Sequence, residues 1–178
     1  MKKRTLFYPI LLLISILSFH SCEIEDDGIP RFIPTIDIPT IADIVRENPD
    51  MDSLEVVLTR INLIHLFNDS SYTLFAPSNL AFRNYLDSNN FQQIADISET
   101  KLTRMMHYST LWYRIVSDSL IQGHSLSTLN PLKNLVIDRG NGLQLITTDT
   151  SQGPVNIVFT DIKADNGIVN IVGDILRP

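Results

Sequence analysis

The chain has 178 residues, enough for one ordinary domain and too few for two comfortable ones. It is 44% hydrophobic and 19% charged, so most of it can fold around a core. Its 14 Lys and Arg against 20 Asp and Glu leave a net charge of -6, which argues against a nucleic-acid binder, and its single cysteine excludes an internal disulfide framework or a multi-cysteine zinc site.

Residues 1–21 read as an export signal. Lys2, Lys3 and Arg4 precede an apolar run from Leu6 to Phe19. The run is shorter than the roughly 20 residues a bilayer span needs, and Pro9 interrupts it, but it suits the apolar segment of a secretory signal. Ser21 and Cys22 follow at once. A small residue before a lone cysteine at this place resembles the lipobox of bacterial lipoproteins, although Phe19 and His20 depart from its common letters. The resemblance implies cleavage before Cys22 and acylation of its thiol and new amine. An unpaired exported thiol would otherwise be a liability. Several acyl chains, each worth about 0.8 kcal/mol per buried methylene, would hold the protein on a membrane.

Residues 22–39 read as a tether. Glu23, Glu25, Asp26 and Asp27 form an acidic cluster behind the cysteine. Such a cluster resembles the signal that sends some Gram-negative lipoproteins to the outer face of the outer membrane, and it equally suits a solvated spacer. Pro30, Pro34 and Pro39 disfavour helix, so the stretch should be extended. At about 3.1 Å per residue it would hold a domain roughly 50 Å from the membrane.

Residues 40–178 read as one domain. Thr40 with Asp43 makes the start of a first helix. The spacing of Leu54, Val57, Leu58, Ile61 and His65 predicts a second helix from Ser53 to about Phe67, capped by Asp52 or Ser53. Tyr72 to Ala76 is a short apolar strand, followed by helices over Asn79 to Leu86 and Ser98 to about Tyr108. Four strands are expected at Leu135–Asp138, Leu143–Thr148, Val155–Asp161 and Ile168–Leu176. Turn signals separate them at Asn141-Gly142, Gly153-Pro154 and Asn166-Gly167. Helices first and antiparallel strands afterwards indicate an α+β fold, with N-terminal helices packed on an antiparallel sheet or sandwich core.

Two strings carry a resemblance. The stretch Thr73 to Phe82 (TLFAPSNLAF) resembles the first signature of the fasciclin-like domain, and Thr160 to Val172 (TDIKADNGIVNIV) resembles the hairpin of its second. Between them, Leu102 to Tyr108 resembles the region of the family's tyrosine–histidine pair. The resemblance implies the family's α+β fold and an adhesion or protein-interaction function. Asn170 stands where the family usually has histidine, Gly173 replaces a frequent aspartate, and Met106 stands where tyrosine usually precedes His107. In animal members, this region and an aspartate–isoleucine pair are linked to integrin recognition. Matched position by position, the resemblance carries over His107, Asp161 and Ile162. The plainer reading makes all three structural: Asp161 bonds its turn, Ile162 packs, and His107 satisfies a buried backbone group.

Trp112 and Tyr113, with Tyr108, form an aromatic cluster that could stack on a sugar, anchor a protein partner or close the core. The candidate interaction residues are therefore His107, Tyr108, Trp112, Tyr113, Asp161 and Ile162, with Cys22 as lipid anchor. No catalytic, metal or cofactor residue is expected. Gly123 to Ser127 approaches a nucleophile elbow, but Ser127 replaces its second glycine and strands follow. His65, His107 and His124 have no metal-ligand spacing. Asp52-Ser53-Leu54 and Asp118-Ser119-Leu120 resemble a short O-glycosylation acceptor motif. The expected setting is an outer-membrane lipoprotein that meets a protein or glycan ligand at the cell surface, or serves as accessory subunit of a glycan-uptake complex.

Overall fold

The computed structural model describes residues 37–149 and 151–178. The export signal, Cys22 and nearly all of the tether lie outside the described residues. Helices α1 (Ile41–Glu47), α2 (Asp52–Arg60), α3 (Leu66–Asp69), α4 (Asn79–Ser88) and α5 (Glu99–Tyr108) accompany one seven-stranded sheet. The α+β class read from the sequence is what the chain adopts.

Each helix begins where its side chains allow. At α1 the Thr40 hydroxyl accepts the Asp43 N–H at 3.2 Å, and the Asp43 carboxylate accepts the Thr40 N–H at 3.0 Å, a reciprocal cap. Ser78 and Ser98 cap α4 and α5 through the N–H groups of Ala81 and Lys101. For α2 the expected cap at Asp52 or Ser53 is replaced. Asn79 accepts the Ser53 N–H at 2.8 Å and donates to the Pro49 carbonyl at 2.7 Å, so the first residue of α4 secures the start of α2.

The second expected helix is shorter than its spacing predicts. It stops at Arg60, because Asn62 takes a φ of 55° and turns the chain out of the helix. The Leu58 carbonyl then accepts from both Leu63 and Ile64, at 2.8 and 3.2 Å. As a result Ile64 and Phe67 enter the core, and His65 faces solvent.

The strands are β1 (Tyr72–Pro77), β2 (Thr110–Leu111), β3 (Ser125–Ser127), β4 (Asn134–Asp138), β5 (Gln144–Ile146), β6 (Val155–Ala164) and β7 (Gly167–Val172). Their order across the sheet is β2-β1-β7-β6-β5-β4-β3. Neighbours are antiparallel except β1 and β7, which run parallel from Tyr72–Gly167 to Pro77–Val172. Two short strands, β2 and β3, carried no legible pattern. The outer strands approach one another through a Leu111–Thr128 bridge, so the sheet curls towards closure instead of stacking as a sandwich.

Two cores result. Alternate residues of β1 and β7, including Leu74, Ala76, Val169 and Ile171, pack against Ile41, Leu54, Phe67, Phe82, Leu102 and Met106 from the helices. The opposite face, with Phe75 and Val172, packs inside the curl on Tyr108, Leu126, Leu135, Ile137, Leu145 and Leu176. Both faces of β1 and β7 are thus covered, which explains their near-continuous apolar letters.

The β6–β7 hairpin turns at Asp165–Asn166, and Gly167 already belongs to β7. The glycine is therefore not needed for the turn. A Cβ at 167 would lie 2.2 Å from the Tyr72 carbonyl oxygen and 2.5 Å from Ile41 Cδ1, so absence of a side chain lets β7 approach β1 and α1. Beyond β7, the expected strand ends early. Gln152 holds the following segment instead, donating to the Ile175 carbonyl at 2.6 Å and accepting the Arg177 N–H at 3.0 Å.

Candidate functional site

The segment after β2 leaves the sheet and presents Trp112, which is 62% exposed. Its ring meets that of Tyr113 edge to face, with centroids 5.5 Å apart and planes at 87°. Tyr113 is half-buried against the inner core, and burial pushes its phenol above the ordinary value, partly offset by a hydrogen bond with the Ser127 backbone.

Three anchors fix this segment. The buried Thr73 hydroxyl donates to the Tyr113 carbonyl at 2.8 Å and accepts the Ile115 N–H at 2.9 Å. The Arg114 guanidinium donates to the carbonyls of Ala164 at 2.8 Å and Gly167 at 3.3 Å, joining the segment to the β6–β7 hairpin. Asp161 accepts the Ser117 N–H at 2.8 Å and the Ser117 hydroxyl. On the far side Arg139 donates to the carbonyls of Ser117 and Leu120, both at 2.6 Å. An exposed indole therefore stands on a backbone held by the sheet, an arrangement that presents an aromatic surface without first having to order a loop.

Asp161 sits where β6 breaks register between Phe159 and Ile162. It has a φ of 60°, which few non-glycine residues adopt. Its N–H donates to Asn170 Oδ1 at 2.9 Å, so Asn170 supplies the acceptor that the bulge removes from the ladder. That bond gives the buried asparagine a local role. Its Nδ2 has no partner among the described residues.

The sequence-derived candidates thus separate. Trp112, Tyr113 and Asp161 belong to the pinned segment and its anchor. Ile162 packs against the helical core. Tyr108 is wholly buried: its hydroxyl donates to the Asn134 carbonyl and accepts the Thr148 N–H, both at 2.9 Å. Burial raises its phenol pKa, partly offset by the Thr148 bond. His107 is half-exposed beside Arg104, Leu132 and Lys133, with no hydrogen bond among the described residues, and so does not satisfy a buried backbone group as expected. Thr73, Arg114 and Asn170 were missed as organisers of the segment. Ser125 begins β3 and pairs with Val136, so it is not on a strand–turn–helix elbow. Among the described residues no group of His, Cys, Asp or Glu is placed to hold a metal, and no helix is long and apolar enough to cross a membrane.

Comparison with known proteins places these features in context. The family model described as the fasciclin domain matches residues 49–178. Over 139 residues the chain is 25% identical to immunogenic protein MPB70 of Mycobacterium bovis and to immunogenic protein MPT70 of Mycobacterium tuberculosis, covering 74% of this chain. It spans 65% of the length of those relatives. Among solved structures, a FAS1 domain pair from the insect cell adhesion molecule fasciclin I superposes with a TM-score of 0.66 at 13% identity, covering 80% of this chain and 52% of that one. The resemblance carried by Thr73 to Phe82 and Thr160 to Val172 is borne out.

Proposed function

The chain belongs to the fasciclin domain family, and on that premise we propose that it is a display protein for adhesion or protein–protein interaction at the bacterial envelope. The observation that carries the reading is Trp112, an exposed indole on a segment pinned by Thr73, Arg114 and Asp161. Large aromatic side chains on prepaid geometry are the usual energetic centres of protein interfaces. The lipobox-like Cys22 would fix the protein to a membrane, and residues 23–39 would carry the head away from it. The solved adhesion-molecule relative supports the class of function, with the ligand a matter for experiment.

The test uses intact cells and a non-penetrating protease, with a periplasmic protein as integrity control. Cleavage of the head in intact cells is expected; protection until lysis would remove the surface-adhesion reading. Cys22→Ala should release the protein from the membrane fraction, and retention would sink the lipid anchor. Adhesion of cells or a captured protein partner should be lost in Trp112→Ala with the fold intact. The flat indole beside Tyr113 also suits a sugar ring. Binding of a purified polysaccharide that Trp112→Ala abolishes, without any effect on adhesion, would favour the accessory glycan-binding role.

A further inference from the structure

A second part of the domain gathers polar chemistry that the Trp112 segment does not use. A cavity of about 400 Å³ is lined by Tyr85 of α4, by Ser98, Thr100, Lys101 and Arg104 at the start of α5, and by Arg177. Tyr85 is 4% exposed, and its hydroxyl has no hydrogen-bond partner among the described residues. A buried hydroxyl without a partner is costly, and phenylalanine would fill the same ring position without that cost.

The side-chain charges around it are mostly positive. The Lys101 ammonium lies 5.4 Å from the Tyr85 ring centroid and 5.6 Å from that of Phe91, which holds the cation at the wall by its attraction to the two ring faces. Arg104 follows three residues later on the same face of α5, exposed and lining the cavity. The Asp149 carboxylate also lines it, but lies 3.4 Å from Arg177 and accepts from the Ser151 N–H and hydroxyl at 2.9 and 2.6 Å. With Asp149 matched to Arg177, Lys101 and Arg104 leave the side chains of this cavity positive on a chain whose net charge is -6.

We propose that this cavity binds an acidic sugar, a ring-sized polar body bearing a carboxylate, sulfate or phosphate. Lys101 and Arg104 meet the anionic group, and charge-assisted bonds of this kind are roughly twice as strong as neutral ones. The hydroxyls of Ser98 and Thr100 line the cavity for exchange with sugar hydroxyls, and the Tyr85 phenol gains the partner it lacks. The volume exceeds what a bare oxyanion needs and falls within the roughly 300–1,000 Å³ of small-molecule sites.

Calorimetric titration of the full chain with glucuronic acid, glucose 6-sulfate and glucose 6-phosphate tests the proposal, with glucose, inorganic sulfate and inorganic phosphate as controls. At least one acidic sugar should bind saturably, roughly tenfold or more tighter than glucose and the bare ions. Arg104→Gln, at an exposed position, should weaken it about tenfold, and Tyr85→Phe several-fold with no loss of thermal stability. Trp112→Ala should leave this binding unchanged, which separates the cavity from the adhesion reading. Absence of saturable binding by all three sugars overturns the proposal. So does equal binding of the bare ions, or an affinity indifferent to both Arg104→Gln and Tyr85→Phe.

Discussion

Asn166 Oδ1 accepts the Ile41 N–H at 2.8 Å, across 125 residues of sequence. The same side chain donates to the Phe67 carbonyl at 2.6 Å, and the Asn166 carbonyl accepts the Tyr72 N–H at 3.2 Å. One turn residue thereby joins the start of α1, the first turn of α3 and the start of β1. Asn166→Ala would leave the Ile41 N–H and the Phe67 carbonyl without their partner in a buried place. A loss of about 2–4 kcal/mol is expected, read from the urea midpoint.

Gly167→Ala should be at least as damaging. The new methyl would meet the Tyr72 backbone oxygen, which cannot move without breaking the β1–β7 ladder. A cost of about 3 kcal/mol is expected in thermal or urea unfolding. Gly142→Ala makes a control of a different kind, since a Cβ there has open space and only its φ of 103° is strained.

Thr73→Val keeps the shape of a buried side chain and removes the hydroxyl that secures Tyr113 and Ile115. About 1–3 kcal/mol should be lost, with the segment loosened. Trp112 is the chain's one tryptophan, so tryptophan emission excited at the red edge, where the tyrosines do not absorb, reports on this segment alone. Its anisotropy should fall in Thr73→Val under native conditions, and an unchanged anisotropy would show that the segment is held without Thr73.

Tyr108→Phe should cost about 1–2 kcal/mol near neutral pH, because the Asn134 carbonyl and Thr148 N–H lose their partner. Alkali supplies a second readout. The folded phenols of Tyr108 and Tyr113 are raised above their ordinary values, so the native state keeps those protons more firmly than the unfolded chain. Their stabilising effect is complete below about pH 10 and is lost as the pH rises past it. Stability measured from pH 9 to 11 should fall less steeply in Tyr108→Phe than in the native sequence.

Acid should act in the opposite sense. The Asp43 carboxyl is held below the ordinary range first by the Thr40 hydroxyl and backbone, with Arg46 adding attraction. Asp149 is lowered by its bonds to Ser151 and by Arg177. Groups with lowered folded pKa values stabilise above their unfolded values, and that contribution disappears as the pH drops below about 4. Asp43→Asn should lower stability at pH 7 and flatten its decline between pH 4 and 2, as followed by urea unfolding at each pH.

The legible parts of the fold were those written in contiguous letters. Thr73 to Phe82 encodes a buried strand, a proline stop and a serine-capped helix within ten positions, and the structure builds them in that order. The helix ending at Arg60 was misjudged because Ile61 and His65 continue the apolar-face spacing, while a single left-handed asparagine overrides it. The strands β2 and β3 were hidden because two or three residues contain too few letters to show a period. At the site, Trp112 was found by its residue type alone. Of its supports, Asp161 was singled out by the resemblance, whereas Thr73 and Arg114 were not, since Thr73 meets the segment only through the β1–β2 pairing and Arg114 reaches the β6–β7 hairpin only in the folded sheet. The cavity at Tyr85 draws on four separate segments of the sequence, and no local pattern announces such a convergence.

The meeting of the two outer strands limits how a partner can be recognised. β2 has two residues and β3 three, and β2 bonds to the residues that follow β3: Leu111 bridges Thr128, and the Leu129 N–H donates to the Thr110 carbonyl at 2.8 Å. An extended peptide seeking to add itself as another strand would find no long row of vacant main-chain groups there. Recognition along this border is left to side chains, which discriminate by shape and charge.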